Sequence, residues 1–277
     1  MPATASKRKP SGPLKDIQKT RDTRGIAINR VGVSDLRYPI TVLDRENKAQ
    51  HTVGVFSLSV DLPHHFKGTH MSRFVEVLND CHGNVGVRTL PGMLGQLRER
   101  LGARRAHIEV AFPYFVKKTA PVSRAEALID IECAFVVETN GGGDPDFFLR
   151  VKTPVTSLCP CSREISDYGA HNQRGFLSAT VRLKKTARAK WRLVWIEELM
   201  AMAEASASAP VYSLLKRPDE RHLTMQAYDN PAFVEDMVRS MAARLKKDPR
   251  IAWFEVRADN QESIHNHTAF AIVRSGE

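Results

Sequence analysis

Hydrophobic and polar positions alternate in two rhythms along this chain, and the switches between them outline its elements. Residues 52–60, TVGVFSLSV, set apolar positions between small or polar ones, the period of a half-buried strand. The next apolar residues, Met71, Phe74, Val75 and Leu78, fall at helical intervals. A second helix is expected at PGMLGQLRERLG, with Pro91 near its start and Gly102 placed to end it. Period two returns at Ile108, Val110 and Phe112, and again at Ile129, Ile131, Cys133 and Phe135. Three glycines and a proline in NGGGDPD, residues 140–146, then break the pattern.

Beyond that break the order repeats. Strands are expected over Phe147–Val155 and Phe176–Leu183. A helix follows at WRLVWIEELMAMAEA, its stripe formed by Trp191, Trp195, Leu199 and Met202. For the next helix Asn230 is the expected cap and Pro231 suits the first turn, with Phe233, Met237, Val238 and Met241 on one face. IAWFEVRA and HTAFAIVR close the chain as strands. Strands in adjacent pairs favour an α+β class with antiparallel sheets, each carrying a pair of helices, over a doubly wound sheet. The repeated order suggests a tandem duplication with units at 27–140 and 141–277, an inference from element order and not from residue identity.

At 277 residues and 42% hydrophobic content the chain can bury a substantial core, which excludes global disorder. No run approaches the ~20 apolar residues of a membrane helix, and no apolar secretory segment opens the sequence, so a cytoplasmic protein without membrane contact is expected. The net charge is +10, and half of the excess lies in the first 25 residues, where seven Lys/Arg face two Asp. Residues 1–26, rich in Pro, Ser and Thr, read as a disordered basic tail. The rest suits a polyanionic small molecule as well as RNA. An aromatic content of 7% and the lack of RNP-like or zinc-knuckle spacing weigh against a basic RNA-binding module, so no nucleic-acid partner is expected. The four cysteines do not resemble a disulfide framework and are expected as reduced thiols.

Three segments concentrate reactive groups. SLCPCSREISDYGAHNQRG contributes Cys159, Cys161 and His171; LLKRPDER contributes Lys216, Arg217, Asp219 and Glu220; DNQESIHNH contributes Glu262, His265 and His267. Thiolate, imidazole and carboxylate are ligand types for zinc, iron(II) or manganese. Spacing alone leaves plainer readings open. One residue between Cys159 and Cys161 is shorter than structural-zinc spacing, and an extended segment would aim both thiols to one side. His171 can equally be a hydrogen-bonding loop residue, and His265 and His267 two residues on one strand face. A fourth segment, LPHHFKGTHMSRF, sets Lys67, His70, Ser72 and Arg73 at a helix entrance, which suits phosphate or is an ordinary solvated entry. No Walker-type or dinucleotide glycine motif is present.

Taken together, LPHHFKGTHMSRF, TPVTSLCPCSREISDYGAHNQRG, LLKRPDER, NPAFVEDMVR and NQESIHNHTAFA resemble the type IB GTP cyclohydrolase I family from about residue 27 onward. The resemblance implies a duplicated tunnelling fold and a homotetramer with active sites at subunit interfaces. It implies conversion of GTP and water to 7,8-dihydroneopterin triphosphate and formate, the first committed step toward tetrahydrofolate. Residue by residue, it implies Cys159, His171 and Glu220 as ligands of a divalent ion (Mn, Zn or Fe(II)), with Cys161 a second ligand or a bystander. Glu262 matches the carboxylate that anchors the purine edge, and His265 resembles a proton-transfer residue, a role His267 could share. Lys67, His70, Arg73, Lys216 and Arg217 are candidates for the triphosphate. Two relatives in the same fold compete: a deazapurine nitrile reductase with a cysteine nucleophile and a nicotinamide cofactor, and a cyclohydrolase forming a cyclic phosphate of dihydroneopterin.

Overall fold

A computed structural model describes residues 16–276 except 19, 82, 140, 142 and 189. The first half contains β1 (Ile28–Asp44), β2 (Lys48–Leu62), α1 (Met71–Asp80), α2 (Leu90–Leu101), β3 (Ala106–Thr119) and β4 (Glu126–Thr139). The second contains β5 (Asp146–Leu158), α3 (Pro160–Ile165), β6 (Asn172–Leu183), α4 (Ile196–Glu204), β7 (Ala209–Pro210), α5 (Arg217–Asp229), α6 (Val234–Lys246), β8 (Ile251–Gln261) and β9 (Thr268–Arg274). All pairings of these strands are antiparallel, in the order β1-β2-β3-β4-β5-β6-β8-β9, with β7 attached to β5.

The fold is therefore α+β with an antiparallel sheet, but the halves do not form separate sheets. Strands β4 and β5 pair from Glu132↔Lys152 to Glu138↔Asp146, on either side of the glycine-rich break, and join them edge to edge. The hydrophobic core runs through both. Phe56 and Leu58 of β2, Ile108 and Val110 of β3, and Leu177 and Val181 of β6 share one cluster with Phe74 of α1, Leu94 of α2, Leu199 of α4 and Met237 of α6. Burying such side chains stabilises the fold by roughly 1.5–3 kcal/mol each. Ion pairs lie on alternate positions of β3, β4, β5 and β8, among them Glu109–Arg150, Glu132–Lys152 and Arg257–Asp259.

The expected strands and the first two helices are present, and Gly102 ends α2 in the left-handed conformation at φ 61°. Four features depart from expectation. Strand β1 went unread because its period slips: Val31 and Val33 give way to Leu36, Tyr38, Ile40 and Val42 across an irregular register at Asp35, which has φ 59°. The helix expected from Trp191 starts only at Ile196, because Trp195 is extended at φ −83°, ψ 148° and its N–H donates to Glu198 Oε2. Asn230 does not cap the next helix; it closes α5 and donates from Nδ2 to Ala207 O, while Phe233 caps α6. Helix α5 was missed because it buries only Asp219 and Ala227, leaving no apolar stripe.

Of the expected basic tail, residues 1–15 and 19 lie outside the described residues. Gln18, Thr20 and Asp22 are paired: Lys67 N–H donates to Thr20 O, Gly68 N–H to Gln18 O, and Asp22 N–H to His65 O. Backbone hydrogen bonding here outweighs a composition that favours disorder. Among the described residues no helix is long and apolar enough to cross a membrane.

Candidate functional site

Strand register gathers the chemistry at one end of the sheet. Leu158 pairs with Asn172, Gly175 with Asn260, and Gln261 with Thr268, so the segments that follow β5, precede β6 and join β8 to β9 emerge together. Cys159 caps α3, with Pro160 in the first helical position that suits proline. The segment around the two cysteines is thus a helical turn and not extended. Cys159 is half-buried and Cys161 exposed, and all four cysteines are free thiols.

Backbone bonds tie Cys159 to His171. Cys159 N–H donates to His171 O at 3.1 Å, Ser162 N–H donates to Cys159 Sγ at 3.4 Å, and His171 N–H donates to Ser162 Oγ at 3.1 Å. The His171 ring continues the chain of contacts, with Nδ1 3.0 Å from Gln173 Oε1 and 3.3 Å from Ser263 Oγ. Gln173 Nε2 then donates to Glu262 Oε1 at 3.3 Å. Gln173 is a functional candidate that motif reading missed. Its signal was a polar residue in the buried phase of β6, in line with Gly175, Leu177, Ala179 and Val181. Behind it the strands close tightly: a Cβ at Gly175 would lie 2.1 Å from Asn260 Oδ1.

Glu220 stands in the first turn of α5, and its neighbour Asp219 fixes that turn. The Asp219 carboxylate accepts from Val122 N–H and Ser123 N–H at 2.8 Å, from Ser123 Oγ, and from Lys216 N–H at 2.8 Å. Burial pushes its pKa up, but the Ser123 side chain and the backbone donors outweigh this and hold it well below the usual carboxylate range. Glu220 itself is exposed and lines a cleft with Thr156, Asn172, Arg174, Tyr212 and Thr224. Lys216 and Arg217 sit exposed at the same helix start.

The donor types suit a borderline divalent ion. His171 has Nδ1 engaged and, among the described residues, no hydrogen bond at Nε2, the arrangement usual for a metal-ligating imidazole. Among the described residues no three His, Cys, Asp or Glu side chains come close enough to hold a metal ion. Cys159 and His171 are therefore brought together, while Glu220 remains on the rim of the adjoining cleft. His265 and His267 lie in the β8–β9 loop and not on a strand face, exposed, with rings stacked at 5.0 Å and 12°.

The helix-entrance candidates are elsewhere. Val60 pairs with Ala106, Ala106 with Thr139, and Glu138 with Asp146, so the loop after β2 leaves the sheet at the end where β5 begins. Cys159 follows the other end of β5. Arg73 Nη1 donates to Arg100 O at 2.7 Å, and His70 Nε2 lies 3.2 Å from Asp16 Oδ2. Within one chain Lys67, His70 and Arg73 do not share a site with Cys159.

The family described as Type I GTP cyclohydrolase folE2 matches residues 14–271. The chain belongs to this family. The match begins earlier than the motif resemblance and takes in the paired residues Gln18, Thr20 and Asp22. The GTP cyclohydrolase FolE2 of Nitrosococcus oceani is 50% identical over 261 residues, 94% of this chain and 95% of the relative. That of Syntrophotalea carbinolica is 51% identical over 260 residues, 94% of each. Among solved structures, urate oxidase from Bacillus subtilis 168 aligns with a TM-score of 0.50 at 9% identity, covering 88% of this chain and 97% of that one. This last likeness shows a shared tunnelling fold and nothing about chemistry. FolE2 membership covers every segment that builds the site.

Proposed function

We infer that this FolE2 family member is a metal-dependent GTP cyclohydrolase that converts GTP and water to 7,8-dihydroneopterin triphosphate and formate, the entry to tetrahydrofolate. The observation that carries the reading is the clustering of Cys159, His171 and Glu262 at one sheet end in a chain half identical to curated FolE2 enzymes over nearly its whole length. Cys159 and His171, with Glu220 from the rim of the adjoining cleft, would hold a divalent ion, Mn, Zn or Fe(II), which would supply a water activated near neutral pH. Cys161, exposed beside them, is assigned no ligand role.

The protein's own groups have separable tasks. The Glu262 carboxylate accepts from guanine N1–H and the exocyclic amine, which selects guanine over adenine; its four lone-pair sites are not exhausted by Gln173. His265, with His267 stacked on it, delivers a proton to the departing ring nitrogen, a task imidazole performs near neutrality. Lys216 and Arg217 serve the triphosphate from the start of α5. If Lys67, His70 and Arg73 serve the triphosphate, they do so from a second copy, as a homotetramer with interfacial sites requires. The repeated element order supports duplicated tunnelling-fold units at 27–140 and 141–277, and the biosynthetic role a cytoplasmic location.

The reading is tested by Cys159→Ala. We expect turnover to vanish while the circular dichroism spectrum and melting temperature stay near those of the parent; normal activity would remove Cys159 from the site.

A further inference from the structure

We propose that Gln173 is a positioning residue that fixes the tautomer of His171 and links it to Glu262, so that the metal-binding and purine-binding sides of the site are held as one unit. The inference rests on the function proposed above. Its physical basis lies in three side chains whose hydrogen-bonding roles determine one another.

An ionised carboxylate can only accept, so the Gln173 group facing Glu262 Oε1 at 3.3 Å is the amide NH2. The amide oxygen must then face the other way, toward His171 Nδ1 at 3.0 Å. An amide oxygen can only accept, so Nδ1 carries the proton. A neutral imidazole with its proton on Nδ1 presents a lone pair at Nε2, which is the ring nitrogen left open among the described residues. Ser263 Oγ, 3.3 Å from Nδ1, is a second acceptor for the same proton. Rotating the Gln173 amide by half a turn would set its oxygen against the Glu262 carboxylate, two acceptors with no proton between them, so the carboxylate selects the orientation of the network.

The setting makes Gln173 rigid. It is 7% exposed and lies on the buried face of β6, paired with Ser157 of β5. Its neighbour on that face is Gly175, where the Asn260 side chain leaves no room for a Cβ. The amide therefore has little freedom to turn away from either partner, and no acceptor beyond this network is needed to explain a polar side chain in the core phase.

The test uses two variants of the full-length protein that separate the two links. Gln173→Glu keeps an acceptor for His171 Nδ1–H but places a second carboxylate against Glu262. Gln173→Leu removes both bonds at similar volume. Affinity for Mn and Zn, measured by chelator competition, should fall about tenfold to a hundredfold in Gln173→Leu and stay near the parent in Gln173→Glu. KM for GTP should rise in both variants, with kcat of Gln173→Glu less affected than that of Gln173→Leu. Nitrogen-15 spectra of histidine-labelled, metal-free protein supply a readout independent of activity. They should show the Nδ1–H form of His171 in the parent and in Gln173→Glu, and a mixture of tautomers in Gln173→Leu.

Equal metal affinity in Gln173→Leu and parent, or an Nε2–H form of His171 in the parent, would overturn the proposal. A parent that binds neither ion while His171 shows the Nδ1–H form would instead remove the metal reading and leave the tautomer assignment standing. If both variants lose metal, GTP and melting temperature together, Gln173 is a packing residue and the proposal fails.

Discussion

At the scale of single residues, the site depends on polar groups placed where the strand pattern calls for apolar ones. Gln173 and Asn260 occupy the buried phase of β6 and β8, and each is under a tenth exposed. If Glu262 anchors the purine as proposed, Glu262→Ala removes charge-assisted hydrogen bonds worth about 1.5–3 kcal/mol each, and KM for GTP should rise by about tenfold or more. Steady-state kinetics check this, and an unchanged KM would remove Glu262 as the purine anchor. Gly175→Ala forces a methyl against Asn260 Oδ1 and should destabilise by roughly 1–3 kcal/mol in urea titration. Where spacing alone left plainer readings open, the motif resemblance singles out Cys159, His171 and Glu262, which the strand register brings to one end of the sheet. It missed Gln173 because a lone glutamine signals nothing until its cross-strand partner is known.

At the scale of elements, the start of α5 is fixed by the Asp219 carboxylate, while Ala227 further along packs against Leu158 and Ala209. Asp219 binds the β3–β4 turn to the start of the helix that carries Glu220, Lys216 and Arg217. Its pKa in the folded protein lies below the unfolded value of about 3.9. Its contribution to stability is thus complete above that value and is lost as pH falls through the lower, folded one. Asp219→Asn should lower the melting temperature at pH 7, and the gap to the parent should narrow as pH falls below about 4. A gap constant across that range would show that the charge is immaterial. The same variant should disturb Glu220 and weaken turnover. Helix α5 was not legible in advance because a mostly polar, solvent-facing segment has no periodicity to read, whereas α1, α2 and α6 each announce a buried face. Strand β1 was hidden for the opposite reason: its apolar residues are present, but the irregularity at Asp35 shifts them from one phase to the other.

At the scale of the whole molecule, the paired-strand order visible in the sequence is the order of the sheet, and the glycine-rich break is where β4 passes to β5. What the linear pattern did not carry is which end of the sheet each loop occupies, and that separation sets Lys67, His70 and Arg73 apart from Cys159. If these residues serve the substrate, mixing an inactive Lys67→Ala protein with inactive Cys159→Ala protein should restore activity through hybrid assemblies, with light scattering giving a mass near four chains. Recovery of none, or a monomeric mass, would exclude the shared site. The central claim is tested most directly by turnover of GTP on metal-stripped protein supplied separately with manganese, zinc, iron(II) or magnesium, with formate and the pterin product measured together. The account predicts release of both only when a suitable ion is added; release without any ion, or no release with every ion, would contradict it.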